Sequence, residues 1–477
     1  MSDSDRQMEP SPTRTLSEFV AASSYDSLPE AVRQRAKVLI LDLLGCMIGG
    51  VRIPPGEAVL GLVTRLGCSG PATLWASGQR VPALHAAYAN GYLANVLDFD
   101  DTDLGHPGTV IVPPALAVAE QAGASGAALI NAVVLGYEGY VRLTAALRAS
   151  TERNKEFGGT SSTQLLGIFA ATTAAAAVLG LDASSVARAY GIAAEHAPVP
   201  ASLMGLLDQR PLSSMKNNAG WVCLGGVLAT ELARTGIFAS PAIFDPQARL
   251  WMRVGSDRYA QEKLVAGLGD HYHILDVSLK PYPCCRYLHT TLDVLTQIMQ
   301  THALRADDVA RVHVRGFTRL SNFQEFEPQT VLDAQYSLPY AVAMVLLGRR
   351  PGYEWQDPAL LRDPKVIRTA RKLTVGPDPA ADKVYFNFNK RLYPTTVRVE
   401  LTDGTCHESS ASIPQGDPRN FMPLAAVIAK FTGLVEPVLG ATAACALADR
   451  IETLEACQNV AALSEDIYTL HAAHAAS

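Results

Sequence analysis

A change of hydrophobic period along the chain limits the fold more than any other feature. From about residue 30 to residue 235 the apolar positions recur with the 3.6-residue spacing of helices, in runs rich in alanine. Period two, the mark of a strand, first appears at Val309–Gly316 (VARVHVRG) and returns at Thr396–Thr402 (TVRVELT), where Asp403-Gly404 turns into Cys406–Ile413. Helical character resumes after Pro418. Strands are thus confined to an interval flanked by helical sequence. The pattern predicts a mainly α protein: a large all-helical domain formed by both ends of the chain, residues 1–275 and 412–477, with a smaller α+β lid domain inserted at 276–411.

Individual helices have readable limits. Ser27-Leu28-Pro29-Glu30 reads as a start, with Ser27 as N-cap and Glu30 at the capping-box position, and the helix runs on to Gly49-Gly50. Ile111–Gln121, Ala124–Ala145, Thr163–Leu179, Ser185–Glu195, Ala219–Thr235, Thr290–Met299 and Ser337–Leu347 follow. In the second of these, Glu138 and Arg142 stand four apart and predict an intrahelical ion pair. Met1 to about Pro12 reads as a disordered polar leader.

Composition excludes several classes of function. A formal charge of -6 and a pI near 6.0 argue against a nucleic-acid surface, so an anionic substrate must be met by local positive charge. No apolar run reaches the length of a membrane span. The eight cysteines include no C-x-x-C pair and read as reduced thiols, which with the polar N-terminus predicts a cytoplasmic protein.

Chemistry concentrates in Asn95-Val96-Leu97-Asp98-Phe99-Asp100-Asp101-Thr102-Asp103-Leu104-Gly105-His106-Pro107-Gly108-Thr109. Four carboxylates, two threonines and a histidine sit between small-residue and apolar runs, where burial shifts pKa values toward those that acid/base catalysis uses. The simpler reading is that the aspartates end one helix or cap the next and His106-Pro107-Gly108 makes the turn. The stretch lacks the spacing of a calcium loop. Two further places carry cations. Lys216 stands before the apolar helix at Ala219, and Lys280-Pro281-Tyr282-Pro283-Cys284-Cys285-Arg286 offers a point charge and a bidentate fork suited to carboxylates, on a chain stiffened by two prolines.

Leu97-Asp98-Phe99-Asp100-Asp101-Thr102 with His106-Pro107-Gly108, then Gly136-Tyr137-Glu138, Lys216, Lys280-Pro281-Tyr282-Pro283 and Tyr336-Ser337-Leu338-Pro339-Tyr340, in that order, resemble the MmgE/PrpD family from about residue 15 to residue 460. The resemblance implies a homodimeric lyase that uses no metal or iron–sulfur cofactor, with its site between the two domains. It implies catalytic roles for Asp98, Thr102, His106, Lys216 and Lys280. Asp101, Cys285, Arg286 and His289 are the candidate substrate-binding residues. Imidazole is the side chain whose ordinary pKa lies near neutrality, so His106 is the candidate acid or base, Asp98 would orient or polarise it and Thr102 would donate to substrate.

Family chemistries share a carbanion beside a carboxylate of a polycarboxylate, which waiting cations stabilise. Dehydration of a 2-methylcitrate-like hydroxy acid is the expected reaction, with epimerisation of an iminodisuccinate-like acid behind it. Decarboxylation of cis-aconitate type is least favoured. Phe157-Gly158-Gly159-Thr160-Ser161-Ser162 lacks the histidine many relatives have there, Cys285 replaces the histidine of the decarboxylase branch, and the Thr102-to-His106 loop is shorter. A carboxylate-binding paralogue without catalysis is the reading outside enzymes.

Overall fold

The computed structural model describes residues 11–150, 152–153, 165–198, 210–212, 218–387 and 390–475. Lys216, the glycine-rich segment 157–162 and residues 1–10 of the expected leader lie outside them. The protein is mainly α. An unanticipated first helix, α1 (Pro12–Ala22), begins where Ser11 caps the Arg14 amide and Pro12 supplies its fixed φ at the first position.

Helix α2 (Glu30–Gly49) is buried around almost its whole circumference, as its unbroken apolar sequence requires. Its start corrects the capping expectation. Ser27 ends a preceding 3₁₀ turn and exchanges hydrogen bonds with Ser24, so the capping box is Ser24/Ser27 and α2 opens at Glu30 without a side-chain cap. Around α2 stand α3 (Pro54–Arg65), α4 (Ala83–Val96), α5 (Gly108–Ala122), α6 (Gly126–Ala146), α7 (Gly167–Val178), α8 (Ala183–His196) and α9 (Ala219–Arg234). A two-residue pair, β1 (Ala72–Thr73) and β2 (Arg80–Val81), precedes α4.

Further along come α10 (His289–Thr301) and α11 (Leu338–Leu346), the latter capped by Ser337. The four-stranded sheet has the order β4 (Leu373–Pro377), β3 (Val309–Gly316), β5 (Thr395–Leu401), β6 (Cys406–Ala411). β3 pairs parallel with β4 (Val312 opposite Leu373) and antiparallel with β5 (Val314 opposite Val397), and the β5–β6 hairpin turns at Asp403-Gly404 with Gly404 at φ 89°. The C-terminal helices are α12 (Leu424–Leu439), α13 (Ala441–Glu452) and α14 (Val460–Ala475).

Buried apolar side chains form two clusters. One gathers Leu16 through Leu279 with Met422 through Ile467, so both ends of the chain share it, and α12 lies against α2 with Phe431 on the Gly45 surface. The other runs from Tyr282 to Val399, with Leu212 added, and fills the space between α10, α11 and the sheet. Hydrogen bonds join the two where α4 ends. The Gln335 amide donates to the Val96 carbonyl at 2.8 Å, and the Gln356 amide to those of Leu97 (3.1 Å) and Pro283 (3.2 Å). A helix leaves its last carbonyls unpaired, and here glutamines from the second cluster satisfy two of them.

Candidate active site

The candidate stretch is the connection between α4 and α5, and its backbone is tightly bent. Asp98 lies in the left-handed region at φ 50°, Leu104 follows at φ 53°, and a two-residue bridge ties Thr102 to Ser278, with N–H···O distances of 2.8 and 3.0 Å. Aspartate tolerates the left-handed region better than most residues, at a cost near 1 kcal/mol. Lys280 holds Asp98 there: Nζ donates to the Asp98 carbonyl and to Oδ1, both at 3.0 Å, with each side chain only 1% exposed.

His106 stands beside this pair. Its Nδ1 lies 2.6 Å from Asp100 Oδ2 and its Nε2 lies 3.7 Å from Asp98 Oδ1. The Asn95 amide steadies Asp100 from the other side, donating to Oδ1 at 3.2 Å. Asp100 thus makes the short contact to the imidazole, while Asp98, expected to orient or polarise it, stands farther off at Nε2. The imidazole is 13% exposed and is the opening of an otherwise closed cluster.

Asp101 does what the simpler reading asked. Its carboxyl accepts from the Gly108 amide at 3.0 Å, capping α5, and from the Tyr137 hydroxyl at 2.8 Å. A Cβ at Gly108 would stand 2.3 Å from Asp101 Oδ1 and 2.6 Å from the Tyr137 oxygen, so the His-Pro-Gly glycine is required by this close approach. Burial, and then the neighbouring Asp100, push the Asp101 carboxyl well above the usual carboxylate range, and Tyr137 is raised well above its own ordinary value by burial and Asp101. Burial pushes the Lys280 ammonium down, but Asp98 and then Asp100 outweigh it, and its pKa ends above the ordinary lysine value.

The remaining candidates divide. The Thr102 hydroxyl donates to the Gly105 carbonyl at 2.8 Å and so braces the loop. The Cys285 amide donates to the Gln335 carbonyl at 2.9 Å. Arg286 is buried, with Nη1 donating to the Gln415 carbonyl at 2.9 Å, while its Nη2 is buried with no hydrogen-bond partner among the described residues. His289 is fully buried: its Nε2 donates to the Cys284 carbonyl at 3.0 Å and its Nδ1 faces Arg286 at 3.4 Å. Burial, and then Arg286 and Lys280, hold its pKa well below the ordinary histidine value, so it is a neutral brace for Arg286 and not a group facing open space.

Sequence reasoning missed Asp100 as the orienting carboxylate, Lys430 and Arg391. Lys430 pairs with the buried Asp42 at 2.7 Å and donates to the Lys280 carbonyl at 3.1 Å, and Arg391 forms an ion pair with Asp103. Only the Asp100–His106 spacing left a local signal. The other partners are hundreds of residues apart.

Comparison with known proteins matches residues 14–262 to the MmgE/PrpD N-terminal domain and residues 282–457 to the MmgE/PrpD C-terminal domain. The chain belongs to the MmgE/PrpD family. It is 24% identical to a cis-aconitate decarboxylase of Aspergillus terreus over 95% of both chains. It is 24% identical to that of Mus musculus over 86% of this chain and 85% of the relative, and 25% identical to that of Homo sapiens over 70% of each. Lys280 lies in the interval between the two family matches, residues 263–281, where hydrophobic packing passes from one cluster to the other.

Proposed function

We propose that this member of the family is a cofactor-independent lyase that builds a carbanion beside a carboxylate of a polycarboxylate substrate, with dehydration of a citrate-like hydroxy acid as its reaction. The observation that carries the reading is His106, fixed through Nδ1 by Asp100 at 2.6 Å, with Nε2 turned toward the Asp98–Lys280 pair. A neutral imidazole that donates through Nδ1 has its lone pair on Nε2, the arrangement a general base needs.

In dehydration Nε2 takes the proton α to a substrate carboxylate. The electron pair left on carbon spreads into that carboxylate, where Lys280 stabilises the charge. Lys280 spends two donors on Asp98 and has a third for substrate. The pair then forms the double bond as the β-hydroxyl departs, and the proton on Nε2 leaves with it as water, which returns the imidazole to its first state. Binding requires opening, since Lys280 is closed off; residues 276–411 act as the lid over the helical parts 1–275 and 412–477, and the active form is a homodimer.

A second reading, decarboxylation, is favoured by the relatives named cis-aconitate decarboxylase across nearly the full chain. There the bond to carbon dioxide breaks, the double bond shifts, and an imidazolium at His106 protonates the carbanion. Proton NMR of the purified protein in deuterium oxide with methylcitrate, citrate, malate, cis-aconitate and iminodisuccinate separates these. A new olefinic signal with loss of the α-proton supports dehydration, carbon dioxide release supports decarboxylation, and deuterium entry without elimination supports epimerisation. Binding of a polycarboxylate without change of any compound would leave a binding protein and refute a lyase.

A further inference from the structure

Away from His106, a second group of ligating side chains occupies the segment that leads to Lys280. His271 Nε2 lies 2.8 Å and His273 Nδ1 3.0 Å from the same atom, Oδ2 of Asp276, and the three donor atoms all lie within 4.8 Å of one another. The two rings meet edge to face, 5.0 Å between centroids and 81° between planes. Two imidazoles and one carboxylate in His-x-His-x-x-Asp spacing are a donor set for borderline divalent ions such as zinc, nickel or copper.

We propose that His271, His273 and Asp276 bind one such divalent transition-metal ion, outside the acid/base cluster. Bonds of about 2.0–2.2 Å to a common ion place neighbouring donors roughly 3–3.5 Å apart, so the two histidine–aspartate separations need to open by only a few tenths of an ångström. The side chains are 54%, 29% and 40% exposed, which lets water complete the coordination. The frame is fixed: residues 273–276 form a 3₁₀ turn, and the His273 amide donates to Glu138, whose other oxygen is held by Arg142 at 2.8 Å. Among the described residues, Asp276 has ion pairs with these two histidines alone, while Arg35 lies near enough to feel its charge.

The other cluster of this kind, Asp98, Asp100 and His106, is the weaker competitor. Lys280 Nζ already occupies the cation position 3.0 Å from Asp98 Oδ1. The two differ in imidazole count, which gives the test. Chelator-treated full-length protein with its thiols blocked is titrated with zinc by calorimetry, and copper(II) bound at one equivalent is read by pulsed EPR. The expected result is one zinc per chain, and an EPR modulation from two imidazoles that falls to one in His271→Gln and disappears in the His271→Gln/His273→Gln pair. His106→Gln should leave both signals intact. Absence of stoichiometric zinc binding in the wild type, a one-imidazole copper signal, or loss of the site in His106→Gln with retention in the double variant would each overturn the proposal. His271 is exposed, so circular dichroism of its variant guards against a folding failure.

Discussion

Replacing Asp100 by asparagine tests the orientation of His106 with the least disturbance. Asparagine has the same shape, so its Oδ1 can still accept from Asn95, and the amide nitrogen then replaces Oδ2 at 2.6 Å from His106 Nδ1. An amide nitrogen can only donate there. The ring must therefore accept at Nδ1 and carry its proton on Nε2, which leaves no lone pair facing the Asp98–Lys280 pair. Losing a charge-assisted hydrogen bond costs about 1.5–3 kcal/mol, roughly tenfold to a hundredfold in rate at 1.36 kcal/mol per decade. The inverted tautomer adds to this; the same swap behind the histidine of a serine-protease triad costs about 10⁴. The expected result is a fall in kcat of about 10²–10⁴ with KM changed by no more than about threefold. Nitrogen NMR of labelled histidine should show the tautomer change directly. A folded variant with the inverted tautomer and near-native kcat would refute His106 as the base.

Lys280→Ala leaves the buried Asp98 charge uncompensated, so it should lower stability by about 3–5 kcal/mol in urea unfolding and weaken substrate binding, while His106→Ala should mainly lower turnover. Pairing Lys280→Met with Asp98→Asn should cost less than the two single changes summed, and strict additivity would deny the coupling. The Asp101 carboxyl is raised in the folded protein, so the native state holds a proton that the unfolded chain releases above about pH 4. Its contribution to stability is complete below that pH and is lost as pH rises through the folded value. Asp101→Asn should therefore flatten the fall of Tm as pH rises above about 4; an unchanged slope would place that proton elsewhere. Arg391→Ala removes the counter-charge of Asp103, and amide exchange across residues 101–106 should speed up while KM rises. Unaltered exchange would mean that Arg391 does not tether the loop.

What the sequence made legible was whatever repeats locally. Most of the helices, the β3 and β5 alternation, the Asp403-Gly404 turn and the Glu138–Arg142 pair have their determinants within a few residues. β4 escaped because it is a short strand in which only Leu373 is buried, leaving no alternation to read. Roles inside the acidic stretch were less visible. Which ring nitrogen of His106 each of Asp98 and Asp100 meets depends on the left-handed turn at Asp98, and that turn is held by Lys280, 182 residues on. The glutamines that satisfy the end of α4 were likewise invisible, since an amide in a helical stretch carries no sign of the distant carbonyl it will meet.

If the proposed polycarboxylate is the substrate, charge balance separates the place where it is bound from the place where it reacts. Asp42, Asp98, Asp100 and Asp101 are all essentially buried, and Lys280 and Lys430 are the ammonium groups paired among them. Burial raises the Asp42 carboxyl against the pull of Lys430, and Asp101 is raised further still, so four carboxyl groups share two ammonium groups and leave no cationic surplus. Bringing a substrate with several carboxylates to such a cluster needs positive charge from outside it. Arginines outside this group of carboxylates carry such charge. Arg286 has a buried Nη2 with no hydrogen-bond partner among the described residues, Arg319 stands 5.3 Å from the Tyr287 ring, and Arg391 is close enough to Arg148 to depress it after the larger effect of burial. Guanidinium groups stay charged when buried and grip carboxylates in pairs. On this reading the α4–α5 loop moves the proton and the arginines hold the substrate's remaining carboxylates, so that neither element is competent without the other.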